Sequence, residues 1–243
     1  IEIVRGLEKG AKGVLGVLVA CASAGIIIGV VTKTGVGLKL ASALLDLSGG
    51  LLLPTMFFTM LTAIILGMGV PTTANYVITS TIAAPALVQM GIPILAAHMF
   101  VFYFGIIADV TPPVALAAYA GSAISGGNAL KTGVNASKLA IAAFLIPYIF
   151  VASPVLLMID ATPGALIWAT FTALVGMIGL SAAMIGYLIA PIHPIMRLLF
   201  FAGGLMMVDP ASITDFIGAA ILIVCMILQH YKKRKINRQA LNI

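Results

Sequence analysis

GMGVPTTAN at residues 67–75 and ADVTPP at residues 108–113 interrupt two otherwise apolar stretches of the chain. Pro71, Pro112 and Pro113 each lack an N–H, and each disfavours helical geometry in the residue before it. In lipid, an interrupted helix leaves amides and carbonyls unpaired, which is tolerated only where protein or a watery cavity satisfies them. Secondary transporters use freed backbone groups of this kind as ligands for ions and substrates near the bilayer midplane. The spacing therefore predicts a re-entrant helical hairpin turning at the first break and a discontinuous helix broken at the second.

The surrounding composition fits a lipid setting. Hydrophobic residues make up 62% of the 243 and charged residues only 8%, with a mean hydropathy of +1.20. A soluble domain carries about 25% charged residues, so the expected class is an all-α integral membrane protein. At about 20 residues per crossing, the length accommodates six or seven helices. The net charge of +6 does not indicate nucleic acid, because the basic residues gather at segment ends and form neither a basic face nor an aromatic platform. Cys21 and Cys225 both fall in apolar spans, too far apart for a metal motif, and are expected to be inert packing residues.

Apolar spans are expected at about 14–31, 94–108 continuing as 114–125, 139–159, 165–190, 192–208 and 216–231, with the hairpin over 51–90. The expected organisation is a first span and an interfacial helix (37–47) within 1–50, and a transport element over 51–125. A polar loop (126–135) and a span follow within 126–159, then C-terminal transmembrane helices over 160–231 and a basic tail over 232–243. With these crossings, Arg5, Lys9, Lys12, Lys131, Lys138, Arg197 and the basic tail share one side, which the positive-inside rule makes cytoplasmic. Lys33 and Lys39 lie opposite, beside Asp46, Asp160, Asp209 and Asp215. Two full crossings in place of the hairpin give the same sidedness. The opening IEIVRGLEKGAKG, which lacks a methionine, leads us to expect a piece of a longer protein.

Asp109 reads as the acidic residue set deepest in a span. A carboxylate at the bilayer centre costs about 2.5–3.5 kcal/mol on insertion scales and needs a partner or a wet site. No Lys or Arg lies near it in sequence, so a bound cation is the natural partner, helped by the Thr111 hydroxyl and the carbonyls around Asp109 and Thr111. Capping of the following half-helix by Asp109 is a compatible second role. At the first break, Gly67 and Gly69 permit close backbone approach and positive φ. Thr72 or Thr73 is placed to cap the next helix, whose N-terminus favours an anion, and Asn75 adds a donor and an acceptor.

Elsewhere the expectations are structural. His98 and Tyr103 read as packing or interhelical hydrogen-bonding residues, His193 and His230 as interfacial, and the Gly25–Gly29 spacing as a close helix contact. Arg197 is expected to snorkel to the interface, and Asp160, Asp209 and Asp215 to serve loops and caps.

CASAGIIIGVVTKTGVGLKLASALLDLSGG, ILGMGVPTTANYVI and FGIIADVTPPVALAAYAGSAISG together resemble the large membrane subunit of tripartite ATP-independent periplasmic (TRAP) transporters, of the type fused to the small subunit. The resemblance covers residues 3–158 and loosens beyond, where VDPASITDFIGAAIL also suits the fused subgroup. It implies sodium-driven, elevator-type uptake of organic acids, dicarboxylates or amino acids such as glutamate, in a bacterial or archaeal inner membrane with a cytoplasmic C-terminus. It implies two inverted repeats, of which only the second is visible, so the chain is expected to be the C-terminal half of a larger permease. A second sodium site then maps to Gly67, Gly69, Thr72, Asp109 and Thr111, and substrate contacts to Thr72, Thr73, Asn75 and Pro112. The implied partners are an extracytoplasmic substrate-binding protein, the N-terminal remainder of the permease with the small-subunit helices, and lipid. Sodium serves as coupling ion, with no other cofactor or metal and no nucleic acid.

Three rival readings compete: a binding-protein-independent sodium/dicarboxylate symporter, a non-transporting scaffold, and an intramembrane aspartyl protease. The last needs two carboxylates with separated protonation roles, and the spans offer Asp109 alone; catalysis is not expected. Single cysteines at positions 39 and 131 of a cysteine-free chain should label from opposite faces of the membrane. Labelling of both from one face would break the assigned topology.

Overall fold

The computed structural model describes residues 2–209 and 212–241, with the side chains from 235 onward, of Ala142 and of several residues in the first helix, Cys21 among them, outside the description. All the regular elements described are helical. The chain divides into two compact units, Ile1–Gly133 and Val134–Ile243.

The first unit opens with the 33-residue α1 (Glu2–Thr34), then α2 (Val36–Leu47) after Gly35 at φ 67°. The hairpin follows as α3 (Leu52–Gly67), α4 (Thr72–Ile82) and a short α5 (Ala84–Gln89). Next come α6 (Ile94–Ile107), a 3-10 turn (Ala108–Val110) and α7 (Leu116–Ser125). α4 and α5 return along α3, while α6 packs against both arms of the hairpin. Small residues at four-residue spacing make this possible. Thr55, Thr59, Ala63 and Gly67 form the buried stripe of α3, and Ala97, Val101 and Gly105 the facing stripe of α6. Between α4 and α6, the Tyr76 hydroxyl lies 2.9 Å from His98 Nδ1, so His98 is an interhelical hydrogen-bonding residue as expected.

Past the break, residues expected as a polar loop form α8 (Ala129–Leu139), in which the division between the units falls. Asn128 explains the difference: its Oδ1 accepts from Lys131 N–H at 3.0 Å and its carbonyl from Thr132 N–H at 2.9 Å, starting a helix where glycines suggested none.

The second unit continues through α9 (Ile141–Ala152), which carries Pro147, a short 3-10 turn (Pro154–Leu157), α10 (Pro163–Ile185), α11 (Pro194–Val208) and α12 (Ser212–Leu241). α10, α11 and α12 pack consecutively. A Cβ placed on Gly176 would fall 2.8 Å from the Gly204 carbonyl oxygen, and one on Gly204 would fall 2.8 Å from that of Gly176. Gly218 meets the Gly203 carbonyl at the same 2.8 Å. Glycine here brings helix backbones into contact, the usual means of association where lipid removes the hydrophobic drive. Gly25 and Gly29, expected to serve such a contact, face open space.

Arg197, expected to snorkel to the interface, also has a backbone role. It is half-buried, and its Nε and Nη2 donate to the carbonyls of Ala183 and Met184 at 2.6 and 2.7 Å. Last-turn carbonyls have no partner within their own helix, and the guanidinium supplies one where α10 stops at Gly186, φ 78°, earlier than the expected 190. Gln229 Oε1 accepts from Ala190 N–H, and Lys232 Nζ donates to the Pro191 carbonyl.

Among the described residues, Ala129–Ala152, Pro163–Ile185 and Ile213–Arg234 are long and apolar enough to cross a bilayer; Gly25–Val31 with Val36–Leu47, bent by 70°, qualifies as a pair. Leu52–Gly67, Ile94–Val110, Leu116–Ser125 and Pro194–Val208 are apolar but shorter. For the first three the breaks are the reason: they divide stretches that composition alone would count towards six or seven full spans. Large apolar side chains lie exposed along the outside of these helices, including Leu18, Ile26, Ile167, Leu174 and Ile223, as lipid contact requires.

Gly204→Ala should lower stability in detergent by about 1–3 kcal/mol, the usual cost of overpacking, because its new methyl meets backbone atoms. Gly121→Ala, which meets nothing within 4 Å, should not. Equal thermal unfolding of both variants would remove the glycine contact from the account.

Candidate functional site

The two sequence breaks meet. α3 ends at Gly67, the chain turns through Met68–Val70 with Gly69 at φ 72°, and α4 begins after Pro71. A Cβ on Gly67 would lie 2.7 Å from the Gly105 carbonyl oxygen of α6 and 3.1 Å from the Ala108 methyl, the residue before Asp109. Only glycine allows this approach. On the far side of the turn, Gly69 faces Val114, just beyond the prolines of the second break.

Asn75 fills the space between the two glycines. Its Nδ2 lies 2.8 Å from the position of a Gly67 Cβ and 2.6 Å from that of a Gly105 Cβ. The side chain is 2% exposed, and its Oδ1 has no hydrogen-bond partner among the described residues. Leaving a buried acceptor unpaired costs about 1–3 kcal/mol, so this oxygen is available to a donor or a cation. Thr59, two turns earlier on the same face of α3, also buries a hydroxyl without a partner.

The second break gathers oxygen atoms of a different kind. Asp109 sits half-buried in the 3-10 turn after α6. Thr111 donates its hydroxyl to the Ile107 carbonyl at 2.7 Å and its N–H to the Ala108 carbonyl at 3.2 Å, which leaves the hydroxyl lone pairs free to accept. Pro112 and Pro113 are joined by a cis peptide, and Ala115 enters α7 at φ 35°. Carboxylate, hydroxyl and carbonyl oxygens are hard ligands that suit an alkali cation better than a soft metal. Among the described residues no three His, Cys, Asp or Glu gather as a metal site.

Two capping expectations are not met. Pro71 is the N-cap of α4 and has no side-chain group to offer, so Thr72 and Thr73 occupy the first helical positions with exposed hydroxyls. Asp109 caps nothing: the N-cap of α7 is Ala115, six residues on, with no side-chain bond. Two features of the junction leave no signal in the sequence. Gly105 gives no hint of the Asn75 contact, and Asn75 carries no mark of its burial.

The family model of the tripartite ATP-independent periplasmic transporter, DctM component, matches residues 1–165. The chain belongs to that family. It is therefore a TRAP-transporter permease component and a multi-pass membrane protein, of a family that works with a substrate-binding protein and a small membrane component. Comparisons with curated proteins and with solved structures gave no match. The match takes in the hairpin, α6 and the second break, and ends just inside α10.

Gly67→Ala should destabilise the permease by about 1–3 kcal/mol, since its methyl would fall against backbone. Asn75→Leu, of similar shape, should be near neutral, because it replaces an unpaired buried acceptor by apolar surface. Thermal unfolding in choline chloride reads both. A large loss with Asn75→Leu would mean that its amide is satisfied and structural.

Proposed function

We propose that the permease is a sodium-coupled importer of organic acids, dicarboxylates or amino-acid-like anions, delivered by an extracytoplasmic binding protein and carried across by an elevator motion. The observation that carries this reading is the meeting of the two breaks around Asn75, whose buried Oδ1 is unpartnered and close to Gly105, in the last turn of α6 before Asp109. In the proposed site, sodium takes oxygens from Asp109, Thr111, the unpaired Asn75 Oδ1 and the backbone around Gly67 and Gly69, with Thr72 nearby. The cation supplies the charge that Asp109 lacks locally, and it links ion binding to the packing of the hairpin on α6.

The anion belongs at the start of α4. The first amides of that helix lack intrahelical partners and favour negative charge, and the exposed Thr72 and Thr73 hydroxyls add donors. Asn75 and Pro112 shape the floor of this substrate region in the proposal. With no Arg or Lys among the proposed ligands, binding is weak enough to release the cargo. Family membership favours this reading over a scaffold, and the family's use of a substrate-binding protein favours it over a stand-alone symporter.

In the complete permease, Asp109→Asn should raise the sodium concentration for half-maximal uptake about tenfold or more. A charged hydrogen-bonding or ionic partner contributes about 1.5–3 kcal/mol. Expression and unfolding should stay near wild type. Uptake with unaltered sodium dependence would eliminate the role assigned to Asp109.

A further inference from the structure

Within the second unit, largely beyond the stretch that matches the family, a cavity of about 170 Å³ lies between the start of α10, the end of α11 and the start of α12. Asp215 lines it, 5% exposed. Its Oδ2 accepts from the indole Nε1–H of Trp168 at 2.9 Å, whereas its Oδ1 is buried with no partner among the described residues. Asp209 also lines the cavity, its Oδ2 accepting from the Thr214 hydroxyl at 3.1 Å. Thr172 lines the cavity too, and its hydroxyl, which donates to the Ala169 carbonyl at 3.2 Å, keeps lone pairs with which to accept. None of the described lining residues is basic.

A carboxylate with one oxygen tied to an indole and the other buried and unpaired calls for a positive donor. The rest of the wall decides which kind. Val155, Leu156, Ala169 and Val208 are apolar and give a bare metal ion few oxygens, but they suit methylenes. The volume also exceeds that of a single bare ion. We propose that this cavity binds the primary ammonium group of a small alkylamine, either free or carried as an aminophospholipid headgroup. Its N–H groups reach Asp215 Oδ1 and the Thr172 hydroxyl, and its carbon atoms pack on the apolar wall.

Trp168 is the single tryptophan of this sequence, so its emission, read in a protein with no other tryptophan, reports on this cavity. In phosphatidylcholine nanodiscs at constant ionic strength, ethanolamine should change that emission saturably. Choline, which has no N–H, should not. Asp215→Asn keeps an acceptor for the indole but removes the charge, and should raise the half-saturating ethanolamine concentration about tenfold or more. Thr172→Val, a milder change that serves if the first variant fails to fold, should raise it several-fold. Asp160→Asn should respond as wild type. Nanodiscs containing phosphatidylethanolamine separate the sources: emission already shifted and deaf to ethanolamine assigns the ammonium to the lipid, and an unshifted, responsive signal assigns it to a free amine. Matching responses to ethanolamine and choline, no response to ethanolamine in either nanodisc without a lipid-induced shift, or wild-type titrations from both cavity variants would overturn the proposal.

Discussion

Backbone polar groups inside a membrane must find partners within the protein, and that constraint governs the first unit. A helix that stops in apolar sequence exposes carbonyls and amides to a solvent that cannot bond them. Here the two stops are brought against each other. α3 ends against the last turns of α6, and the glycines at 67 and 105 let the contact form at backbone distance. Asn75 enters from the opposite arm of the hairpin and closes the gap. An orphan oxygen is left at the junction, and local stability alone gives no reason for it, since an apolar residue of the same shape would avoid the cost.

Glycine contacts serve a different end in the second unit. The approaches of Gly176 to Gly204 and of Gly218 to Gly203 hold three helices together without any break in them. Polar side chains there finish helix ends: Arg197 closes α10, and Gln229 and Lys232 tie down the turn that follows. Similar chemistry thus maintains packing in one unit and prepares a proposed binding place in the other.

The fold class and both interruptions were legible in the sequence, because each rests on a local cause: hydropathy for the class, proline and glycine chemistry for the breaks. Gly69 adopts the positive φ that its place in GMGVP suggested. What escaped depends on distant partners. Asn75 gains its meaning from Gly105, thirty residues on, and Asp215 from Trp168, 47 residues before. Asp215, read as a loop or capping acid, is the more buried carboxylate when set beside Asp109. The bonds of Arg197 to the α10 carbonyls were not read, because a cation near a span end satisfies carbonyls as well as it reaches water. Asn128 was lost among flanking glycines, although an N-cap before Ala129 is a local signal that a closer weighing of capping would have caught.

The account stands on one claim, that Asn75 Oδ1 is left unpaired in order to meet a cation held also by the turn bearing Asp109. Its most direct test is a pair of high-resolution structures of the complete permease, one in sodium and one in choline. The account predicts a sodium-dependent density in direct contact with Asn75 Oδ1 and with oxygens of the Asp109–Thr111 turn, absent in choline. A protein or water donor hydrogen-bonded to that oxygen in both conditions, with no ion beside it, would contradict the claim.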